Sequence, residues 1–454
     1  MEKTRKAIAA AAAVFVLVGC AGGAAEKKDV PSPPTSASSA EETAAADGGV
    51  AGREFVVLTL TPPGTGGERE SRSRAVKLRD MELEARVGVA VRYAGAASEE
   101  DAAAAVLAER EAGADRFDAA EGSLCGLCLP LLLAGCLSSF EDAAPSVAGR
   151  GLNPSLRTAA GTFFITGPPV PRSLDSIACV LMDHGVAERF FVKDPTGSLG
   201  SGTWTWDDAE KLAAVIPAGS GIYRFGVSDG NVGDAALVSC GEPLTEGNGS
   251  AALSPTLKGR KGELIDRLAA ALGDPGIAYA GEAGMPADKK KEAVETAFSD
   301  GVALFLLTTT GDVPRLRDAG VRFSVLPYPG AGASGADSTD GIAAVITCAD
   351  RSFTGAVLPA LDELSEKYVL AEEVDALLSG RASYDSASEA AARRILSSAT
   401  YDLSLSLSGA DGGEISRALT EAIVGGGGAG ALSGWELKAA LLRPEIEKAA
   451  GGGG

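Results

Sequence analysis

The chain has 454 residues, enough for two or three domains, and its 41 Lys and Arg against 61 Asp and Glu give a formal charge of −20. This acidic balance, with no stripe of basic residues, argues against a nucleic-acid binder because an acidic surface repels phosphate. A single histidine, His184, removes most catalytic-triad, His-metal and proton-shuttle chemistry. The composition therefore predicts an acidic α/β protein that is poorly equipped for catalysis.

The first twenty residues have the pattern of an export signal. Lys3, Arg5 and Lys6 precede the uncharged stretch Ala7–Val18, which is too short for a stable membrane span. The stretch ends Leu17-Val18-Gly19-Cys20, which resembles the lipobox of bacterial lipoproteins. That resemblance implies that residues 1–20 are a lipoprotein signal peptide and that Cys20 is cleaved to the first position and lipidated, for example with palmitate. An ordinary signal peptide or a short buried helix is the alternative.

Residues 21–52 are rich in Ala, Ser, Pro, Gly and Glu, which predicts a disordered tether because such a segment cannot bury enough surface to fold. Beyond the tether, short apolar runs alternate with helical stretches, a pattern that predicts α/β layering. Strands are predicted at 55–60, 86–93, 117–120, 162–166, 177–182, 302–308, 321–326 and 342–347, and helices at 99–111, 207–215, 262–272, 355–368 and 387–397.

Six segments between residues 79 and 402 follow one another in a familiar order. They are Arg79-Asp80-Met81-Glu82 with Val87-Gly88-Val89 and Tyr93; Gly113 to Leu137, with Phe117-Asp118, Gly122-Ser123-Leu124 and Ala134-Gly135; Gly161 to Gly167; Gly202-Thr203-Trp204-Thr205-Trp206-Asp207; Phe298, Gly301 and Leu304 with Leu326-Pro327-Tyr328-Pro329; and Thr354 to Val357 with Ser365, Asp385 and Tyr401-Asp402. Together they resemble family 1 of the extracellular solute-binding proteins, the carbohydrate type of ABC-importer receptor. The fourth segment is the sharpest match.

The resemblance implies an α/β fold of the periplasmic-binding-protein-like type II, in which two α/β lobes are joined by a hinge and enclose an interlobe cleft. Lobe 1 is expected at 53–166 plus 325–370 and lobe 2 at 167–324 plus 371–450, with the chain crossing near Thr166, within 307–325 and near Gly355. The implied function is a lipid-anchored receptor on the extracellular or periplasmic side of the membrane. It would deliver a small polar ligand, a sugar or oligosaccharide, to an ABC permease by hinge closure, as a monomer and without catalysis or cofactor.

Ligand-binding groups are expected at the ends of strands, where ligands of open α/β sheets sit. The candidates are Gly122, Ser123, Thr166, Gly167, Trp204, Thr308, Thr309 and Tyr328. Gly122 and Ser123 fit an ordinary strand-to-helix turn equally well. For Trp204 and Trp206 the alternatives are stacking on a sugar ring and packing under a helix start capped by Thr203 or Thr205, and their spacing favours packing. A peptide or another small polar solute fits these residues as well as a sugar does.

The cysteines leave several readings open. Cys125-Gly126-Leu127-Cys128 has the C-x-x-C spacing of redox and zinc sites, but there is no second pair and no suitable histidine, so no metal site is predicted. Structural disulfides are possible in an exported protein, and the sequence does not choose a pairing among Cys125, Cys128, Cys136, Cys179, Cys240 and Cys348.

Two other function classes stay open. One is an exported enzyme, either a glycoside hydrolase or a thiol oxidoreductase, which would need strongly shifted pKa values in one pocket. The other is a scaffold lipoprotein or degenerate receptor with no transported ligand. Stretches 147–156 and 330–341 lack the aromatic residues that the family carries there, which keeps this second class in view.

Overall fold

The structure is a computed structural model that describes residues 50–65, 69–148, 157–158, 160–199, 204–228, 230–244, 257–330, 334–335, 342–347, 349–378, 386–400, 402, 410–432, 434–435, 437–441 and 444. Its strands are β1 Glu54–Thr59, β2 Ala90–Gly95, β3 Ala119–Gly122, β4 Leu137–Ser138, β5 Arg157–Thr158, β6 Gly161–Thr162, β7 Ala178–Asp183, β8 Tyr223–Val227, β9 Ala278–Tyr279, β10 Ala303–Thr309, β11 Phe323–Pro327, β12 Ser334–Gly335, β13 Ile342–Ile346 and β14 Ala399–Thr400.

The helices alternate with these strands. They are α1 Glu70–Val87, α2 Glu99–Ala112, α3 Leu129–Leu133, α4 Phe140–Ala143, α5 Pro145–Ala148, α6 His184–Arg189, α7 Trp206–Ala213, α8 Val232–Ser239, α9 Arg260–Leu272, α10 Ala287–Ser299, α11 Val313–Asp318, α12 Arg351–Ser365, α13 Ala371–Leu378, α14 Ser386–Ser397 and α15 Ala410–Val424. π-helical turns, Leu124–Cys128 and Glu366–Leu370, lead into α3 and α13.

The first sheet has the order β2-β1-β3-β13-β4, and we call it with its flanking helices the first lobe. β1 is parallel to β2 and β3, whereas β13 is antiparallel to β3 and β4. Successive side chains of β1 enter different apolar clusters: Phe55 and Val57 pack with Phe353 of α12, while Val56 and Leu58 pack on the opposite face. The unbroken apolar run of β1 thus reflects burial on both faces of the sheet.

The second sheet has the order β11-β7-β10-β8-β9, and we call it with its helices the second lobe. β10 is parallel to β8, and β7 lies antiparallel between β10 and β11. Leu181 of β7 pairs with both Leu306 and Val325, and all three side chains are buried. No strand pair joins the two sheets within the described part of the chain.

This topology corrects the predicted second crossing between the lobes. The chain does not cross within 307–325, because β10 and β11 both hydrogen-bond to β7 and therefore both belong to the second sheet. The predicted lobe boundary at 324/325 divides β11, a five-residue strand that is buried along its length. The chain leaves the second sheet only after Pro327 and enters the first sheet at Ile342.

The other predicted elements overlap the observed ones, with three corrections, and α8 and α10 were not among the predicted helices. The strand expected at 162–166 is limited to β6, Gly161–Thr162, and residues 163–166 belong to the connection between β6 and β7. Arg86 and Val87 belong to α1 rather than to a strand, because Gly88 ends the helix in the left-handed conformation, with φ 74°, and the strand starts only at Ala90. Order begins before the predicted end of the tether: Val50 packs against the first-lobe core, and the Gly52 N–H donates to Gly88 O at 2.7 Å. Cys20, Gly202, Thr203 and Cys348 lie outside the described residues.

Residues 49–454 form a compact unit of their own by their contacts. Of the helices described, none combines the length and the apolar character that crossing a membrane requires.

Candidate functional site

In the described part of the chain three segments lead from one lobe toward the other, and their contacts define the candidate site. The first crossing segment is residues 163–177, between β6 and β7; the second follows β11 from Tyr328; and the third is Glu366–Leu378, which continues α12 into α13. α12 packs on α1 in the first lobe, whereas α13 packs on α11 and α14 in the second. Any motion of one lobe against the other must therefore bend these segments.

A partly buried ion-pair cluster, in which the Asp175 and Arg69 side chains are 41% and 25% exposed, joins the first and third crossing segments to the first lobe. The Arg72 guanidinium of α1 donates to both carboxylate oxygens of Asp175, at 2.6 and 2.5 Å, and to both of Glu373, at 2.7 and 2.9 Å. Arg69 also donates to Glu373. The side chains of Arg72 and Glu373 are only 4% and 6% exposed. We call Arg69, Arg72, Asp175 and Glu373 the hinge junction.

The same two acidic residues are also tied to the second lobe. The main-chain oxygen of Asp175 accepts the N–H of Gly311, just after β10, at 2.9 Å. The helix that carries Glu373 is held at Leu377, whose carbonyl accepts from Arg317 of α11 at 3.3 Å. The first and third crossing segments are therefore each bound to the first lobe through a carboxylate. Each is bound to the second lobe through a main-chain carbonyl.

The electrostatics of the junction follow from its geometry. Burial by itself would lower the pKa of Arg72, but the hydrogen bonds and charges of Asp175 and Glu373 raise the pKa above its ordinary value. The guanidinium thus stays charged. Its planar arrangement of N–H donors lets it form two hydrogen bonds with each of the two carboxylates. Replacing one partner of a buried ion pair leaves the other charge uncompensated, which lowers the stability of the folded state.

The second crossing segment is held by aromatic packing instead of charge. Tyr328 is 1% exposed and meets Trp206 edge to face, with ring centroids 6.2 Å apart. Trp204 packs on Phe305 of β10 at 6.1 Å, and its carbonyl accepts the N–H of Gly330 at 2.6 Å. The start of this segment is therefore fixed to the second lobe.

The two tryptophans sit at a capped helix start. Thr205 is the N-cap of α7: its hydroxyl accepts from the Asp208 N–H, and the Asp208 carboxylate accepts from the Thr205 N–H, a capping box. Trp204 and Trp206 are 5% and 2% exposed. Neither ring offers a face to solvent, so the structure agrees with the packing alternative of the sequence argument. The Trp204 indole N–H has no hydrogen-bond partner among the described residues.

The predicted first-lobe residues form an internally bonded turn. Gly122 ends β3, and Ser123 begins the following helix as its N-cap, accepting from the Gly126 N–H at 2.9 Å. The Ser123 hydroxyl and N–H donate to the Glu99 carboxylate at 2.8 and 2.7 Å. A side chain at Gly126 would collide with Glu99, whose oxygen lies 1.5 Å from the position of an added Cβ.

The remaining predicted residues are also engaged within the chain. Thr308 and Thr309 donate to Asp312 at 2.9 and 3.2 Å. Gly167 has φ +91°, and its N–H donates to Ser173 Oγ at 2.7 Å, which bends the first crossing segment just after the buried Thr166. The structure thus brings Trp204 and Tyr328 into one aromatic cluster, but it places the Gly122 turn in the other lobe.

The cysteine thiols are the groups on which the thiol-oxidoreductase alternative depends. Burial, followed by the charges of Glu99 and Glu121, raises the pKa of the Cys128 thiol above its ordinary range, which disfavours the reactive thiolate. No disulfide joins Cys125, Cys128, Cys136, Cys179 and Cys240, the cysteines within the described ranges. Those ranges also contain no group of three or more His, Cys, Asp and Glu arranged to hold a metal.

Two cavities lie in the second lobe. One, of about 560 Å³, is lined by Arg224 and Arg267 among others; the other, of about 370 Å³, is lined by Ile415 and Trp435 among others. Neither contains any of the predicted ligand-binding residues.

Sequence reasoning missed the hinge junction. Its partners are 103 and 301 positions apart in the chain, and no local pattern connects them. One feature of the sequence could have pointed to it. Three arginines, Arg69, Arg72 and Arg74, lie close together at the start of α1 in an acidic protein, which indicates that they have acidic partners elsewhere in the fold.

Comparisons with known proteins address the fold. No protein-family model and no curated protein sequence matches the chain. Solved structures do match it. The cyclic α-maltosyl-1,6-maltose binding protein from Arthrobacter globiformis is 12% identical, with 88% of this chain and 99% of that chain covered and a TM-score of 0.56. The chain has the type II periplasmic-binding-protein fold.

Two further structures share this fold. UgpB from Mycobacterium tuberculosis, in complex with glycerophosphocholine, is 11% identical, with 86% and 98% of the two chains covered and a TM-score of 0.53. An ABC substrate-binding protein from Listeria monocytogenes, in complex with cycloalternan, is 14% identical, with 85% and 98% covered and a TM-score of 0.51. The likeness to family 1 solute-binding proteins is thereby confirmed at the level of the fold. At such low sequence identities the match says nothing about which ligand this chain binds.

Proposed function

We propose that the chain is a lipid-anchored receptor that binds a small polar solute, most simply a sugar or oligosaccharide, between its lobes and presents it to an ABC permease. No bond is broken in this function. A ligand that touches both lobes interacts better with the closed state and shifts the population toward it. The observation that supports the proposal is the division of the fold into two sheets connected by crossing segments, of which the first and the third meet at the hinge junction.

The proposed ligand region is the set of strand ends and crossing segments named above. Because the hydroxyls of Ser123, Thr308 and Thr309 are already bonded within the chain, we expect main-chain groups near Gly122 and Gly167 to contribute more than these side chains. Glycine at such positions allows a ligand to approach the backbone closely. Trp204 is assigned to packing and Tyr328 to the second-lobe aromatic cluster.

A thermal-shift titration tests the binding proposal. The chain from Ala21 to Gly454 would be heated with cycloalternan, maltose, acarbose, glycerophosphocholine and a panel of short peptides. A ligand that binds only the native state adds about 2.7 kcal/mol at a hundred times its Kd, so Tm should rise with concentration for at least one compound. A matched control is the same panel with heat-inactivated protein. A flat response to every compound would contradict the proposal.

The internal bonding of the predicted ligand groups favours one second candidate, a scaffold lipoprotein that has lost its ligand. In that case the lobes would be held in one arrangement whatever solute is added. The titration separates the two candidates, because a scaffold has no solute that raises Tm.

Lipid anchoring at Cys20 is a separate part of the proposal. Two or more acyl chains hold a protein at a bilayer far better than one, so the mature protein should fractionate with membranes. Cys20→Ala should abolish incorporation of labelled palmitate and weaken membrane association. Incorporation of palmitate that survives this substitution would contradict the anchor.

A further inference from the structure

The second residue after the C-terminal end of α6 has an unexpected conformation. Phe191 has φ 57°, and among the described residues it is the one non-glycine residue with positive φ. The N–H of Val192 donates to Ala187 O at 2.8 Å and that of Phe191 to Glu188 O at 3.3 Å, the hydrogen bonds of a Schellman ending. Glycine is the usual residue at this position because a side chain there is strained, and for a bulky residue the conformation is an outlier.

The ring of Phe191 does not pack against the rest of the protein, so no buried contact offsets the strain of its backbone. Its exposed fraction is 94%, higher than that of Met81, Leu437 or Leu441, which are also exposed. Both the backbone and the solvent contact would be more favourable with glycine. Since strained residues persist where function requires them, the benefit of this phenylalanine must come from something outside the lobe.

The charged side chains near Phe191 in the chain are not acidic in balance, unlike those of the whole protein. Arg189 and Lys193 flank it at two positions on either side, and both are exposed. Arg322 is 67% exposed, its carbonyl accepts the His184 N–H at 3.0 Å, and its guanidinium lies 3.6 Å from Glu188. These three cations are accompanied by two carboxylates, Glu188, which is 69% exposed, and Asp194, which is 35% exposed, in a protein of formal charge −20. We call Arg189, Phe191, Lys193 and Arg322 the Phe191 patch.

The patch lies at the end of β7 that is opposite the first crossing segment. β7 begins at Ala178, opposite Thr309 and next to the hinge, and ends at Asp183, opposite Phe323. α6 and Phe191 follow that far end. The patch is therefore separate from Asp175 of the hinge junction and from the predicted ligand residues Thr308 and Thr309.

We propose that the Phe191 patch is a contact site for an anionic lipid bilayer. Aromatic rings are favoured at the level of the headgroups, and Lys and Arg are attracted by anionic lipids, so the patch combines both determinants. Anionic lipids repel the rest of the acidic surface. The contact would therefore orient the protein with the Phe191 patch toward the bilayer. The site rests on the proposed function in one respect: a chain anchored at Cys20 is held at a bilayer, which keeps a lipid surface available to the patch.

Vesicle co-sedimentation tests the site without the anchor. The chain from Ala21 to Gly454 would be mixed with vesicles of equimolar phosphatidylcholine and phosphatidylglycerol, or of phosphatidylcholine alone. Wild type should bind the anionic vesicles better, and Phe191→Gly should bind them roughly fivefold or more weakly. Met81→Ala, which removes another exposed apolar side chain, should bind as wild type. Lys193→Gln with Arg189→Gln should lose the preference for anionic lipid.

Thermal stability provides a second readout. If Phe191 had a structural role, replacing it would lower the melting temperature. Phe191→Gly and Phe191→Asn, whose residues tolerate the left-handed conformation, should melt at the same temperature as wild type or higher. The proposal is overturned if these variants bind vesicles as wild type does, if wild type does not distinguish the two vesicles, or if the variants melt markedly lower. Unchanged vesicle binding with impaired coupling to the permease would assign the patch to a protein partner instead. Failure of either kind leaves the Cys20 and solute tests unaffected.

Discussion

The hinge has two sides that are built from different interactions. At the first and third crossing segments, Arg72 holds Asp175 and Glu373 through four directional hydrogen bonds. At the second crossing segment, Tyr328 and Trp204 pack among aromatic rings of the second lobe. The charged side contacts both lobes, whereas the aromatic side fixes its segment to one lobe.

This difference indicates where bending can occur. Aromatic packing is spread over many contacts and resists displacement, so the second segment should move with the second lobe as far as Gly330. The charged side can rotate about a few hydrogen bonds, provided that the ions remain paired. The hinge junction should therefore set the resting angle between the lobes, and the aromatic cluster should act as its fixed base.

The largest expected effect comes from breaking the charged side. Arg72→Met removes the cation that Asp175 and Glu373 share and leaves Glu373 with Arg69, so it should lower the free energy of unfolding by about 3 kcal/mol, the lower end for a broken buried ion pair. Arg74→Met, on the same helix and 68% exposed with a 3.4 Å surface pair to Glu70, should change it by under about 1 kcal/mol. Urea denaturation of both variants measures the difference. Equal losses would show that burial of the pair is not the relevant property.

The aromatic side is tested by Gly330→Ala. An added Cβ would lie 2.0 Å from the Ser239 carbonyl oxygen, so the backbone must shift, and overpacking of this kind costs about 1 to 3 kcal/mol. At Gly197, an added Cβ has nothing within 4 Å, and Gly197→Ala serves as the control. If both substitutions were tolerated equally in thermal denaturation, the second segment would not be fixed as described.

A buried carboxylate without a bonded cation sharpens the contrast with Glu373. Asp118 accepts the Val56 N–H at 2.8 Å, and burial raises its pKa from 3.8 to about 6, with Asp115 and Asp350 adding to the rise and Arg53 opposing it. The folded state therefore binds this proton more tightly than the unfolded state. The associated stability is complete below the ordinary pKa and is lost as the pH rises through about 6.

Asp118→Asn keeps an acceptor for Val56 and removes the titration. At neutral pH it should raise the free energy of unfolding by about 1 to 3 kcal/mol, and the gain should vanish near the ordinary pKa of 3.8. Chemical denaturation across that pH window measures it. A gain independent of pH would mean that the substitution acts through packing rather than through the charge.

The smallest expected effect is at Trp204. Because its indole N–H has no partner among the described residues, Trp204→Phe sacrifices no hydrogen bond and should cost less than about 1.5 kcal/mol. Affinity for any ligand found by thermal shift should be unchanged if the ring only packs. A large loss of affinity with the stability preserved would restore the sugar-stacking alternative.

The sequence predicted the parts of the fold that depend on local patterns. The apolar run after Glu54, the Ser98 cap of α2 and the Thr205 cap of α7 are all local signals, and the structure contains each of them. The boundary at Arg86 failed because an apolar stretch continued past the helix end, where Gly88 alone marks the change.

The topology and the site were less accessible. The crossing expected within 307–325 was wrong because strand order depends on pairing with β7, more than a hundred residues earlier. Ser123 could be predicted at a strand end, but not that Glu99 would occupy its hydrogen bonds, since that contact joins separate βα units.

The central claim is that the lobes close on a solute, and small-angle X-ray scattering tests it most directly. The radius of gyration of the Ala21–Gly454 chain would be measured alone and with the compound that raises Tm most, chosen from cycloalternan, maltose, acarbose, glycerophosphocholine and the peptides. Closure predicts a smaller radius that saturates at the same concentration as the thermal shift. A radius that stays constant at saturating solute would contradict the hinged-receptor account.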